Sequence, residues 1–241
     1  MDTVRLQKYF TDCGVLSRCA AEAEIGAGRV LVNGTVAEIG QRITPLVDTV
    51  VWKGREIRPL GGAHQYLLLN KPRGFVTTLS DEKGRRTVGD LVRSVGTRVY
   101  PVGRLDMDSD GLLLLTDDGA LTNRLTHPRH EIPKHYHVTV RGEVSEAVLA
   151  RLGEPFLLDG YKTLPTEVHI IGRASDSTCL SFTLFEGRNR QIRRMCEEVE
   201  LRILRLTRVA IGKLELGELK EGTYRHLTPA EVAYLKGEDT D

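Results

Sequence analysis

Between Gly103 and Gly119 the chain reads GRLDMDSDGLLLLTDDG, where three carboxylates, Asp106, Asp108 and Asp110, alternate with other residues ahead of an apolar run. Three chemistries are open to such a stretch. Acidic side chains in turns commonly bond the local backbone and do nothing more. The order D-M-D-S-D-G also copies the start of a calcium loop. Its twelfth position, however, is Asp117 where a bidentate Glu is needed, and its flanks are strand-like rather than paired helices. The third chemistry joins Asp106 to Arg104. A carboxylate can attack a sugar anomeric carbon or an electron-poor ring, and a neighbouring guanidinium keeps it ionised near neutral pH.

Two further clusters carry potential chemistry. Arg188, Arg190, Arg193 and Arg194 fall within seven residues of a chain whose net charge is only +1. A nucleic-acid partner would therefore be met by this local patch and not by a generally basic surface. The plainer alternative is a solvated helix face, which Glu197, Glu198 and Glu200 support at its far end. His127, His130, His135 and His137 have spacings that can ligate a metal. No thiol pair or carboxylate-rich helix accompanies them, so no metal is expected. Cys13, Cys19, Cys179 and Cys196 form no C-x-x-C pair and read as free thiols.

The elements that must position these groups follow from periodicity. RLQKYFTDCGVL has helical spacing, Ser17 is placed to cap a second helix, and Asn33-Gly34 marks a hairpin, with a further strand near Thr49 to Trp52. Residues 1–60 thus form a small α/β unit. Pro59, Gly61 and Gly62 interrupt periodicity, which places a linker at 61–64 and a second domain at 65–241. That domain opens with the strand QYLLLN, stopped by Lys71-Pro72, and has a short helix near Val88 to Val95. The strands LLLLT, HYHVTVRG, HIIGRA, TCLSFTLFEG and LRILRLTRVAIG follow, interspersed with the helices VSEAVLARLGE, NRQIRRMCEEV and PAEVAYLKG. Strands and helices mixed without regular βαβ alternation predict an α+β fold with a mixed, mainly antiparallel sheet flanked by helices. No apolar run approaches the roughly 20 residues of a membrane-spanning helix. MDTVRLQKYF has no charged lead and apolar core, so a soluble cytoplasmic protein without membrane contact is expected.

Five stretches in order resemble the pseudouridine synthases of the RsuA/RluB-like branch, which modify ribosomal RNA. GRLDMDSDG resembles the catalytic motif, LLLNKPRGFVTT the opening strand and loop, HYHVTVRG the tyrosine-bearing strand and EGRNRQIRRMCE the arginine-bearing motif. RLQKYFTDCGVLSRCAAEAEIGAGRVLVNG resembles the alpha-L RNA-binding domain that this branch carries in front. The resemblance implies a cofactor-free isomerisation of uridine to its C-glycoside, in a basic cleft across the sheet. It assigns the catalytic aspartate to Asp106, the uracil-stacking tyrosine and C5 base to Tyr136, and the aspartate's partner to Arg193. Arg104 would help displace the nucleotide from its stack and Leu206 would floor the pocket. Lys71, Arg188 and Arg190 complete the expected substrate-binding set. The implied partner is ribosomal RNA, as a structured hairpin in the free RNA or a pre-ribosomal particle, acted on by a monomer. NRQIRRMCE and LLLLTDDG look closer to large-subunit members, with the small-subunit RNA as the alternative.

The family pattern is not complete. Where it often has Ser-Arg-Arg this chain has Ser17-Arg18-Cys19, and residues 1–45 hold as many acidic as basic residues, which weakens the front domain as an electrostatic anchor. Without the motif order, Tyr136 alternating with Val138 reads equally well as core. Two rival classes remain. A non-catalytic RNA-binding assembly factor would have no use for Asp106, Tyr136 and Arg193 together. A carboxylate-based glycoside hydrolase would need Asp108 or Asp110 as a positioned proton donor, and the front domain would then lack a purpose.

Overall fold

The computed structural model describes residues 3–59, 63–126 and 131–238; of the expected linker 61–64, residues 61 and 62 lie outside them. The chain divides into two compact units, Met1–Gln65 with Asp117–Gly119, and Tyr66–Thr116 with Ala120–Asp241. In the first, helix Leu6–Asp12 precedes helix Arg18–Gly26, whose Ala20 amide donates to Ser17 Oγ at 3.2 Å. Strand Val30–Val32 pairs antiparallel with Thr35–Val36 and with Val50–Trp52. The Asn33-Gly34 turn between the first two takes φ of 51° and 82°, values that a tight two-residue hairpin requires. Leu6, Phe10, Ile25, Val30 and Val50 fill the core of this unit.

The second unit is built on a sheet whose main path has seven strands. These are β1 (Tyr66–Lys71), β2 (Asp110–Thr116), β3 (Lys134–Arg141), β4 (Glu167–Arg173), β5 (Ser177–Leu184), β6 (Ile203–Ile211) and β7 (Tyr224–His226). Their order is β4-β5-β3-β6-β2-β1-β7, and every ladder is antiparallel except β6–β2. The expected mixed, mainly antiparallel sheet is therefore observed. It is flanked by α1 (Gly119–Thr126), α2 (Glu146–Gly153), α3 (Gln191–Glu198) and α4 (Pro229–Lys236).

Burial explains the strand sequences. Leu67, Leu69, Leu113 and Leu115 enter one cluster with Val88, whereas Leu68, Leu112 and Leu114 enter another with Leu121, Leu125 and Leu235. β1 and β2 are thus covered on both faces, so they read as continuous apolar runs. In β3 and β5 only alternate residues, Val138, Val140, Leu180 and Phe182, are core, packed with Leu152 of α2 and Met195 of α3. Several short elements lacked a periodic signal: the hairpin Leu157–Leu158 with Tyr161–Lys162, and β7 itself. The expected helix Val88 to Val95 is a four-residue α-turn, Val88–Leu91, followed by a 3₁₀ turn at Arg93–Val95.

The parallel β6–β2 pairing sets the stage for the acidic turn. Thr207 and Arg208 of β6 lie beside Asp110 and Gly111 of β2. Gly111 has φ +103°, and a Cβ there would stand 2.3 Å from the Arg208 carbonyl oxygen, so only glycine permits this approach. Immediately before it, residues Asp106 to Ser109 form a turn closed by the Ser109 amide donating to the Asp106 carbonyl at 3.1 Å. The segment after β1 grips this turn. Gly74 N donates to Met107 O at 2.7 Å, and Thr77 Oγ1 both donates to Leu105 O at 2.6 Å and accepts from Leu105 N at 3.2 Å.

Lys71 completes the grip from inside. Its side chain is fully buried, and Nζ donates to the carbonyls of Pro72 (3.0 Å), Asp106 (3.0 Å) and Ser109 (2.8 Å). An ammonium has three donors, and here all are used. Burial pushes its pKa down to about 8 despite the nearby carboxylates of Asp110, Asp108 and Asp106. Replacing it by Met leaves three carbonyls without their donor, a loss of about 1–3 kcal/mol for each, against which stands the relief of desolvating a charge. The bonds are expected to win: Lys71→Met should lower the urea midpoint of unfolding, and an unchanged or higher midpoint would show that the burial cost dominates.

Candidate active site

Asp106, Tyr136, Leu206, Arg104, Arg188, Arg190 and Arg193 all line one cavity of about 610 Å³, formed within the second unit. Each element contributes for a local reason. The gripped turn presents Asp106, which is half-buried at the cavity wall. β3 supplies Tyr136 opposite Arg208 of β6, just past a register shift at His135/Tyr136. Leu206 of β6 stands opposite Val138 and is 5% exposed, the place expected of a pocket floor. Arg104 is exposed at the wall, and its side chain has no hydrogen bond or ion pair among the described residues.

Electrostatics at the turn differ from the expected single pair. Arg193 Nε lies 3.9 Å from Asp106 Oδ2 but 3.3 Å from Asp108 Oδ2, and its Nη2 donates to Asp108 O (2.9 Å) and Ser109 Oγ (3.0 Å). Arg190 Nη1 stands 3.5 Å from Asp106 Oδ2 and 3.3 Å from Asp108 Oδ1. The unit is thus two carboxylates facing two guanidiniums. Arg193 lies within ion-pair reach of Asp106, the expected partner, and holds the turn's backbone and Asp108 more closely still. Burial raises the pKa of Asp108, but hydrogen bonds from Arg190 and the charge of Arg193 outweigh it and hold the carboxyl below its ordinary range. Arg190 reaches the turn because it caps α3 in the left-handed region, with φ 50° and ψ 33°. Spacing alone carries no hint of that geometry, because NRQIRR reads as a simple helix start.

Other expectations are redistributed. Lys71 is not at the cavity wall; with all three protons on backbone carbonyls it positions the Asp106 turn, so its expected substrate contact is withdrawn. Arg188 stacks on Tyr161, its guanidinium carbon 3.4 Å from the ring centroid, and both lie at the cavity wall. Asp110 is 1% exposed and takes Arg205 Nε at 3.0 Å, away from the Asp106–Asp108 pair, so the three carboxylates do not converge as a calcium loop would need. His135 Nδ1 is 3.1 Å from Thr183 Oγ1 and His137 is exposed, while His127 and His130 lie outside the described residues. Tyr161, Lys134 and Arg208 are wall residues that sequence reasoning missed. For Arg208 a signal existed: it shares the alternating phase of Leu206, the inward phase of β6.

Comparison with known proteins follows the same geometry. A family model described as RNA pseudouridylate synthase matches residues 65–198. A Bacillus subtilis protein named ribosomal large subunit pseudouridine synthase B is 39% identical, covering 96% of this chain and 95% of the relative. A Pseudomonas aeruginosa protein of the same name is 40% identical over 97% of this chain and 62% of its own length. A solved structure titled as a pseudouridylate synthase superposes with TM-score 0.69 at 32% identity, covering 96% of this chain and 99% of that one. The matched family model spans the Asp106 turn, β3 and α3, the relatives' alignments cover nearly the whole chain, and the chain belongs to the RNA pseudouridylate synthase family.

Proposed function

We propose that this chain isomerises one uridine of large-subunit ribosomal RNA to pseudouridine, with Asp106 as nucleophile on a flipped-out nucleotide. One observation supports this above the rest: Asp106, Tyr136 and Leu206 line the same cavity wall, on a turn and two adjacent strands. The choice of large-subunit RNA rests on the names of the Bacillus subtilis and Pseudomonas aeruginosa relatives. A target base inside a helix is out of reach, so the enzyme must extrude it, and Arg104 can fill the gap left behind. Tyr136 offers the flipped uracil a ring to rest on. Arg190, Arg193 and Asp108 hold the turn so that the Asp106 carboxylate meets C1′ already placed. The first unit serves as a front RNA-binding domain, and the working form is a monomer acting on a structured hairpin.

The isomerisation conserves every atom of the uridine. Asp106 bonds C1′ as the N1–C1′ bond breaks, the uracil turns, C5 bonds C1′ and releases the carboxylate, and the C5 proton leaves as N1 gains one. Water must be kept from C1′ meanwhile, which the apolar walls around Leu206 favour.

Mapping pseudouridine in ribosomal RNA of cells lacking this chain tests the assignment. One large-subunit position should lose its pseudouridine and regain it with the wild-type chain but not with Asp106→Asn. Restoration by Asp106→Asn would remove the nucleophile and favour a non-catalytic assembly role; loss in small-subunit RNA would overturn the substrate. Tyr136→Phe separates stacking from proton transfer. The ring stays, so RNA affinity should hold, while loss of the hydroxyl should slow turnover by about a hundredfold to ten-thousandfold. Full activity in this variant would leave Tyr136 a stacking role only.

A further inference from the structure

Two cations at the cavity wall form no ion pair among the described residues. Arg208 is 5% exposed; its Nε donates to the Leu112 carbonyl at 2.8 Å, while its Nη2 is buried with no hydrogen-bond partner among the described residues. Lys134 lines the same cavity, half-buried, and its side chain has no hydrogen bond or ion pair among the described residues. The two sense each other: burial first, then the charge of Arg208, lowers the pKa of Lys134. The carboxylates of the wall are occupied or apart. Asp106 faces Arg190 and Arg193, Glu186 takes Arg188 and Gln191, and exposed Glu131 forms no ion pair with either cation. A buried donor without a partner is destabilising, and two like charges in one cavity add to that cost. The arrangement is one that an incoming negative oxygen would relieve.

Position says which oxygen. Arg208 is the direct cross-strand neighbour of Tyr136, Lys134 lies two residues before Tyr136, and Leu206 two residues before Arg208. Alternation puts all four on one face of the sheet. Beside an aromatic ring and a leucine, a heavily hydrated phosphate is a poor occupant, whereas the flat edge of a base is a good one. With Nε held by the Leu112 carbonyl, the guanidinium keeps its terminal N–H donors for a carbonyl oxygen.

We propose that Arg208, with Lys134 beside it, is a catalytic oxyanion subsite that takes a uracil carbonyl and stabilises the negative charge uracil gains when its glycosidic bond breaks. This rests on the isomerase reading with Asp106 as nucleophile. As the Asp106 oxygen bonds C1′, the N1–C1′ electron pair passes to the uracil ring and spreads over N1, O2 and O4. Charge on a carbonyl oxygen is then met by preorganised donors in a site with little water, where such donors act most strongly. The same anion carries electron density at C5, which bonds C1′ as the carboxylate leaves. Holding one carbonyl while the ring turns also keeps the detached uracil in the cavity.

The test compares two leaving groups. Unmodified large-subunit ribosomal RNA is transcribed with uridine or with 5-fluorouridine, whose fluorine stabilises the anion without help from the protein. Single-turnover appearance of the C-linked nucleoside is followed for wild type, Lys134→Met, Arg208→Gln and Arg208→Lys, alongside RNA affinity at several salt concentrations. On uridine, Lys134→Met and Arg208→Gln should be slower by at least about tenfold at unchanged affinity, with Arg208→Lys partly restored. On 5-fluorouridine the deficit should shrink to roughly threefold or less, since the better leaving group needs less stabilisation. Equal deficits on both transcripts would overturn the proposal in favour of a packing role. Weakened affinity with a shallower salt dependence would overturn it in favour of a phosphate contact. Arg208 also ties β6 to β2, so if Arg208→Gln does not fold, Lys134→Met alone decides. Failure of the isomerase reading looks different: wild type itself would leave the uridine transcript unchanged.

Discussion

One buried ammonium governs the site. Lys71 gives up its water entirely and receives three main-chain carbonyls, two of them from the turn that carries Asp106. Removing a cation from water is expensive, and the depressed pKa of Lys71 records that expense. The return is conformational. The turn between Leu105 and Asp110 would otherwise be a loop of acidic residues pushing one another apart. With the ammonium beneath it, and Gly74 and Thr77 bonding it from the side, it has one shape. Gly111 then lets β2 meet β6 in parallel, so that Tyr136, Leu206, Arg208 and Asp106 share one cavity.

Charge is sorted around that clamp. The Asp106–Asp108 pair is met by Arg190 and Arg193, a cluster of two carboxylates and two guanidiniums that neutralises itself. Deeper in the wall, Arg208 and Lys134 are left positive. A chain of net charge +1 thus carries positive charge at the cavity wall, where low polarity strengthens it.

How much of this the sequence disclosed depended on whether a residue's role showed in spacing. Strands covered on both faces announced themselves as leucine runs, and β3 and β5 as alternations. Asp106 and Arg104 both reach the cavity wall, but the guanidiniums beside the Asp106 carboxylate are those of Arg190 and Arg193, brought from a distant segment that spacing along the motif could not reveal. Lys71 was misplaced because a lysine at a strand end reads as surface, and nothing local reveals that three carbonyls from distant residues surround it. Arg193 was expected against Asp106 alone because spacing does not reveal that one turn presents two carboxylates, 106 and 108, which Arg190 and Arg193 share. The hairpin bearing Tyr161 has strands of two residues each, too short for any period. Lys134 and Arg208 looked like the polar half of an alternating strand, although Arg208 lies in the inward phase.

The clamp is most directly tested by following single-turnover rate and folding stability together as pH rises. Below about 8 Lys71 is an ammonium with three protons for three carbonyls; above it, one proton leaves and the grip on the Asp106 turn loosens. The folded pKa lies below the ordinary lysine value of 10.5, so between those pH values the unfolded chain holds a proton that the folded one has released. This group's part of the folding free energy therefore grows with pH over that window. The rate should fall through pH about 8 while no stability is lost on account of Lys71. A rate that stays level or rises to pH 10, in protein still folded, would contradict a turn held by the Lys71 ammonium.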